Sequence, residues 1–136
     1  MEANKIIVTG GAPRIGAAIA KKLSGPNVEM VIHYNKSRNK AEILKRQLIM
    51  NGTKVYLVKG DLSKEKDLNK IVKFAKLKLK FFNCLINNAS LFENDKLENF
   101  NTDSWGQHLR TNLRTPALLS KAVSYTHLTL PTNREV

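Results

Sequence analysis

The chain has 136 residues, of which 42% are hydrophobic and 25% charged, and a formal net charge of +12; these values fit one domain with a real core and exclude a disordered or membrane-embedded chain. No charged N-terminal region followed by an apolar run precedes the first structured segment, so a cytoplasmic location is expected. The single cysteine, Cys84, can form no internal disulfide, fits a reducing compartment and reads as a small core residue, not a nucleophile.

Lys5 to Thr9 (KIIVT) is a β-branched run that predicts a first strand. A glycine-rich turn follows, then apolar residues at Ile15, Ile19 and Leu23 that predict a helix ended by Gly25-Pro26. Val28 to His33 predicts a second strand, Ser37 to Met50 a second helix closed by Asn51-Gly52, and Lys54 to Val58 a third strand. Asp61-Leu62-Ser63 leads into a third helix with Ser63 as its expected N-cap. On that helix Lys66, Lys70, Lys73, Lys76 and Lys80 alternate with Leu68, Ile71, Val72, Ala75 and Leu79, which places the lysines on a solvated outer side. Much of the positive charge is thereby accounted for. No nucleic-acid motif or zinc pattern accompanies it, so neither nucleic acid, membrane nor metal is expected as a partner.

Phe81 to Asn87 (FFNCLIN) predicts a fourth strand, and a loop from Asn88 to about Asn101 separates it from a further helix. Ser104 and Gln107 have the spacing of a capping box at the start of that helix, which runs through Leu109, Leu113 and Leu118 with a kink or interruption expected at Pro116. Strands that alternate with helices of this length imply right-handed crossovers, hence an α/β fold with a doubly wound parallel sheet of the Rossmann type.

The turn Thr9-Gly10-Gly11-Ala12-Pro13-Arg14-Ile15-Gly16 joins the first strand to the first helix, where backbone N–H groups and the helix dipole can hold a pyrophosphate. A glycine turn alone also suits an unliganded βα connection. With it come Asp61-Leu62 after the third strand, Asn87-Asn88-Ala89 after the fourth and Asn112 in the following helix. Together these four landmarks resemble the short-chain dehydrogenase/reductase family over residues 4 to 122. Arg14 in place of the family's middle glycine, the His33-Tyr34-Asn35-Lys36-Ser37 segment, and Asn88-Ala89-Ser90-Leu91-Phe92 resemble the pteridine and dihydromonapterin reductases within it. That resemblance implies that Arg14 lies near cofactor phosphates and pterin, that Ser90 touches cofactor and substrate, and that Phe92 stacks on the pterin. Asn35, Lys36 and Leu91 depart from the subgroup, where histidine, arginine and a second serine are common.

A site for NAD of this type needs an acidic side chain at the end of the second strand to receive the ribose 2′-hydroxyl. None occurs from His33 to Arg38. Lys36, Arg38 and Arg14 instead supply positive charge, and Ser37 a donor, where a 2′-phosphate would lie, so NADP(H) is the expected cofactor. Ordinary surface charge at a helix start is the other explanation for Lys36 and Arg38. Asp61 and Leu62 are expected beside the adenine, although aspartate is also common at a helix flank. Asn87 is expected to fix the end of the fourth strand, and the small Ala89 to let the chain approach the adenine ribose.

The family's reaction is hydride transfer to a C=O or C=N carbon, with a tyrosine as proton donor and a lysine four residues later. The resemblance gives Asn112 the role of anchoring a water in the proton relay. No Tyr-x-x-x-Lys occurs in this chain, so the 136 residues alone are expected to be inactive, and the full-length protein an NADPH-dependent reductase of a pterin-like small molecule, as a homotetramer. A 3-oxoacyl-thioester or other carbonyl reductase, and a non-catalytic NADP-binding sensor or scaffold, are the alternatives.

Val123 to Val136 (VSYTHLTLPTNREV) is similar to a translated sequencing adapter of the transposase type, in which GTC TCT TAT ACA CAT CTG reads as Val123 to Leu128. Residues 1 to 122 are therefore expected to form the Rossmann domain, cut after about four strands, and 123 to 136 a non-native tail. The tail carries one arginine and one glutamate, so the basic character belongs to the first 122 residues.

Overall fold

The computed structural model describes residues 3–91, 98–99 and 101–128. Four strands, β1 (Asn4–Val8), β2 (Val28–Tyr34), β3 (Lys54–Lys59) and β4 (Cys84–Ile86), lie in one parallel sheet in the order β3-β2-β1-β4. Between them run α1 (Arg14–Leu23), α2 (Arg38–Met50) and α3 (Glu65–Leu79). After β4 come α4 (Thr102–Leu109), a π turn at Arg110–Arg114, and α5 (Thr115–Leu128).

The two-residue period of the strands sorts the core into layers. From β1 and β2, Ile6, Val8, Met30 and Ile32 face α1 and α2, where they pack with Ala20, Leu44 and Leu48. Ile7 and Val31 face the other way, toward Leu68, Ile71, Ala75 and Leu79 of α3, Phe82, and Leu119 of α5. Both faces are covered, as a doubly wound sheet requires. Each large side chain buried in this way contributes about 1.5–3 kcal/mol relative to exposure. The expected lysine face of α3 is present in Lys66, Lys70, Lys73 and Lys76, all exposed; Lys80, also exposed, lies one residue past the end of the helix.

Several local expectations are corrected. On α1 the buried face is Gly16 and Ala20, while Ile15 is 70% exposed and Leu23 is also exposed, because the helix leans on the sheet through its smallest residues. β4 has three residues, not the seven of Phe81 to Asn87. Lys80 adopts a left-handed conformation, Phe81 N–H bonds to the Leu79 carbonyl, and the chain joins β1 only after this turn. Ser63 does not cap α3. Its N–H and hydroxyl both donate to Asp61 Oδ1, at 2.9 and 2.7 Å, and Lys64 precedes the helix without a side-chain bond.

Ser104 and Gln107 form no capping box either. Asn101 is the N-cap, accepting the Ser104 N–H at 2.8 Å, since an amide at that position reaches the third turn residue. The interruption expected at Pro116 is a π turn one step upstream. Pro116 has no N–H to give to the Asn112 carbonyl, and Thr115 N–H bonds to Arg110, five residues back. α5 continues through Leu128, into the segment that begins at Val123. Residues 129–136 of that segment, and Phe92, lie outside the described residues.

Candidate functional site

The carboxyl ends of all four parallel strands open into one cavity of about 650 Å³. After β1 it is lined by Gly10, Pro13, Arg14 and Ile15, and after β2 by His33, Tyr34, Asn35 and Lys36. Asp61, Leu62 and Ser63 line it after β3, and Asn88, Ala89, Ser90 and Leu91 after β4. It lies at the point where the sheet order turns from β1 back to β4, the usual ligand crevice of an open α/β sheet. Its volume suits a small molecule or cofactor.

The glycine turn is locked from two sides. Gly10 has φ +60°, and a Cβ there would lie 2.8 Å from Ala89 Cα, so the turn and the loop after β4 touch backbone to backbone. A Cβ on Gly16 would lie 2.3 Å from the Gly10 carbonyl and 2.7 Å from Asn88 Nδ2. Thr9, fully buried, accepts from Asn88 N–H at 3.2 Å and Ala89 N–H at 3.1 Å, and Asn88 Nδ2 donates to the Gly10 carbonyl at 2.9 Å. Thr9 and Gly16 therefore shape the site from behind its wall. Arg14 holds φ 44°, a strained conformation for an arginine, at the exposed rim. α1 begins with no side-chain cap and no acidic residue in its first turn, so its leading amides are suited to an anion.

On the β3 side Asp61 is fixed at both ends. Its N–H donates to Asp67 Oδ2 at 2.8 Å, and its Oδ1 receives the two bonds from Ser63. Partial burial pushes its carboxyl upward, but the Ser63 bonds with the Lys64 and Lys36 charges outweigh that and hold it below the ordinary aspartate value. Ser37 precedes α2 and lies off the cavity wall, and Asn87 Nδ2 bonds at 3.4 Å to Ser120 Oγ, away from it.

Asn112 spends its side chain on the chain after Ser90. Its Oδ1 accepts from Leu91 N–H at 2.7 Å and its Nδ2 donates to the Leu91 carbonyl at 2.8 Å. The side-chain amide thus replaces a strand neighbour for Leu91. Gln107 and Thr111 also line the cavity and were missed in the sequence, as were Pro13 and Ser63. Spaced four apart, Gln107 and Thr111 lie on one side of the helix that carries Asn112; that spacing was the available signal. Among the described residues no group of three His, Cys, Asp or Glu side chains gathers to hold a metal, and no helix is long and apolar enough to cross a membrane.

The family profile of short chain dehydrogenases matches residues 4–129. The chain belongs to this family. It is 31% identical over 116 residues to the short-chain dehydrogenase/reductase FrzI of Cladobotryum sp., covering 85% of this chain and 45% of that protein. It is 26% identical over 124 residues to a 3-oxoacyl-[acyl-carrier-protein] reductase of Synechocystis sp., covering 91% of this chain and 50% of that one. Among solved structures it is similar to the FolM alternative dihydrofolate reductase 1 of Brucella canis complexed with NADP, at 31% identity and TM-score 0.82, covering 97% of this chain and 52% of that one. The chain thus spans about half the length of the short-chain dehydrogenases it matches.

Proposed function

We propose that this chain is the NADP(H)-binding half of a cytoplasmic short-chain oxidoreductase that, at full length and as a homotetramer, reduces a pterin-like substrate. The observation that carries the reading is the cavity at the switch point, where the uncapped start of α1 faces a wall with Arg14 and Lys36 and no carboxylate from His33 to Arg38. The leading amides of α1 would hold the pyrophosphate, Lys36 with Arg14 the 2′-phosphate, and Asp61 with Leu62 the adenine. Ser90, Arg14 and Phe92 would meet the substrate. NADPH held there would supply the hydride. The backbone carbonyl of Asn112, to which Pro116 has no N–H to give, would anchor a water.

The NADP-bound Brucella protein supports the cofactor, and its being named a dihydrofolate reductase, a pterin chemistry, supports the substrate class. The Synechocystis relative favours a second reading, reduction of a 3-oxoacyl thioester. No tyrosine in these 136 residues is followed four positions later by a lysine, so the proton donor belongs to the remainder of the full-length protein and this chain alone has no turnover. Residues 123–136 are, in this reading, an appended tail.

Titration of the full-length protein with NADPH and NADH tests the cofactor. A preference of at least about tenfold for NADPH is expected, and Lys36→Ala should remove about 1.5–3 kcal/mol of it, the worth of one charge-assisted bond. Equal affinity for the two nucleotides would sink the reading. Turnover of a dihydropterin but not of a 3-oxoacyl thioester then separates the two substrates.

A further inference from the structure

His33 is the penultimate residue of β2 and is 2% exposed. Gly10 N–H donates to its Nδ1 at 3.0 Å. A ring nitrogen that accepts carries no proton, so Nε2 bears it and donates to the Gly60 carbonyl at 2.8 Å. The backbone repeats the connection: the His33 carbonyl accepts Gly11 N–H at 3.0 Å, and Gly60 N–H donates to Tyr34 at 3.1 Å. One residue thereby joins the glycine turn after β1 to the loop after β3, at the residue preceding Asp61.

We propose that His33 is a positioning residue: its imidazole, spanning Gly10 and Gly60, sets the separation between the glycine turn and the Asp61 loop, and through that separation the affinity for the dinucleotide. The inference rests on the dinucleotide reading above and deepens it. Because Gly10 N–H is spent on His33, the anion-holding amides are those of the first turn of α1, which the Gly10–His33 bond orients. Adding a proton at Nδ1 would set two donors against each other, and the turn would have to move away.

Burial favours the neutral ring and holds its pKa below the usual 6.5, against the opposing pull of the Gly60 carbonyl. The charged groups around it divide. Asp61 from the loop and Asp67 from α3 favour protonation, while Arg14 and Lys36 share the cavity wall with it. Acid therefore loosens the grip that the bridge maintains.

The test measures NADP⁺ affinity by the full-length wild type, His33→Gln and His33→Phe. Glutamine keeps one donor and one acceptor but does not titrate; phenylalanine keeps the bulk and neither polar group. Between about pH 7.5 and the lowest pH at which both remain folded, the wild type should lose at least about threefold more affinity than His33→Gln, a ratio from which titration of the ligand's own phosphate cancels. At about pH 7.5 His33→Phe should bind at least about tenfold more weakly than wild type. Parallel pH profiles for wild type and His33→Gln, or wild-type affinity in a folded His33→Phe, overturn the proposal; if His33→Phe does not fold, the glutamine profile decides. A wild type without NADP⁺ affinity overturns the dinucleotide reading and this inference together, whereas a wild type that binds while its variants match it overturns this inference alone.

Discussion

β1 to β3 pair along ladders of five and six residues and, with α1 to α3, bury both faces of their part of the sheet, whereas β4 pairs with β1 through three residues and Leu113, in the π turn that follows, is 66% exposed. The first region contains the glycine turn, the basic wall after β2 and the Asp61 loop. The second joins it through the β1–β4 pairing and Leu119 in the core beneath α3, and through polar clips at the seam: Thr9 to Asn88 and Ala89, Asn88 to Gly10, and Thr115 to the Leu62 carbonyl. The contrast teaches that most of the cavity wall comes from the more extensively paired part, while Asn112 belongs to the part joined by a shorter ladder and a seam of hydrogen bonds.

The comparison breaks most sharply at Gly16. Gly16→Val places methyl groups against the Gly10 carbonyl and Asn88 Nδ2 at once, and should cost about 3 kcal/mol of stability, read from urea denaturation of the full-length protein. An unchanged midpoint would mean that the two loops are not in contact. Thr9→Val comes next. It keeps the shape but removes the acceptor of two N–H groups at the seam, for a loss of about 2 kcal/mol; a loss of a few tenths would show that the clip is dispensable.

A smaller, pH-dependent loss sharpens the description of the first region. His33 has a folded pKa below 6.5, so below that value the unfolded chain binds more protons than the folded one. Its contribution is complete above pH 6.5 and declines as pH falls through the folded pKa. Asp61, also lowered, adds a separate decline below 3.8. His33→Gln should flatten the upper part of the curve in thermal melts, and an unaltered curve would remove His33 from the account. Least affected is Leu113→Lys, expected to change stability by no more than about 0.5 kcal/mol while improving solubility. A loss several times larger would mean that the second region buries this residue after all.

The order of strands and helices, the parallel sheet and the glycine turn were legible in the sequence, because they follow from periodicity, chain breakers and backbone freedom within a few residues of one another. The lysine face of α3 was legible for the same reason. Ser63 and Ser104 mislead because capping depends on which neighbouring side chain reaches the free N–H first: Asp61 engages Ser63, and Asn101 takes the Ser104 N–H. Ile15 looks like core by spacing, yet α1 presses Gly16 and Ala20 to the sheet and leaves Ile15 at the cavity.

What local pattern determined, then, is the set of elements and the two segments, one from Gly10 to Ile15 and one from His33 to Lys36, that supply two walls of one cavity. Tertiary structure alone decided the pairing of His33 with Gly10 and Gly60, of Asn112 with Leu91, and of Thr9 with the loop after β4. These partners stand between 21 and 80 positions apart. A polar side chain announces in the sequence that it needs a partner, and only the packing of the sheet selects which distant backbone group arrives to meet it.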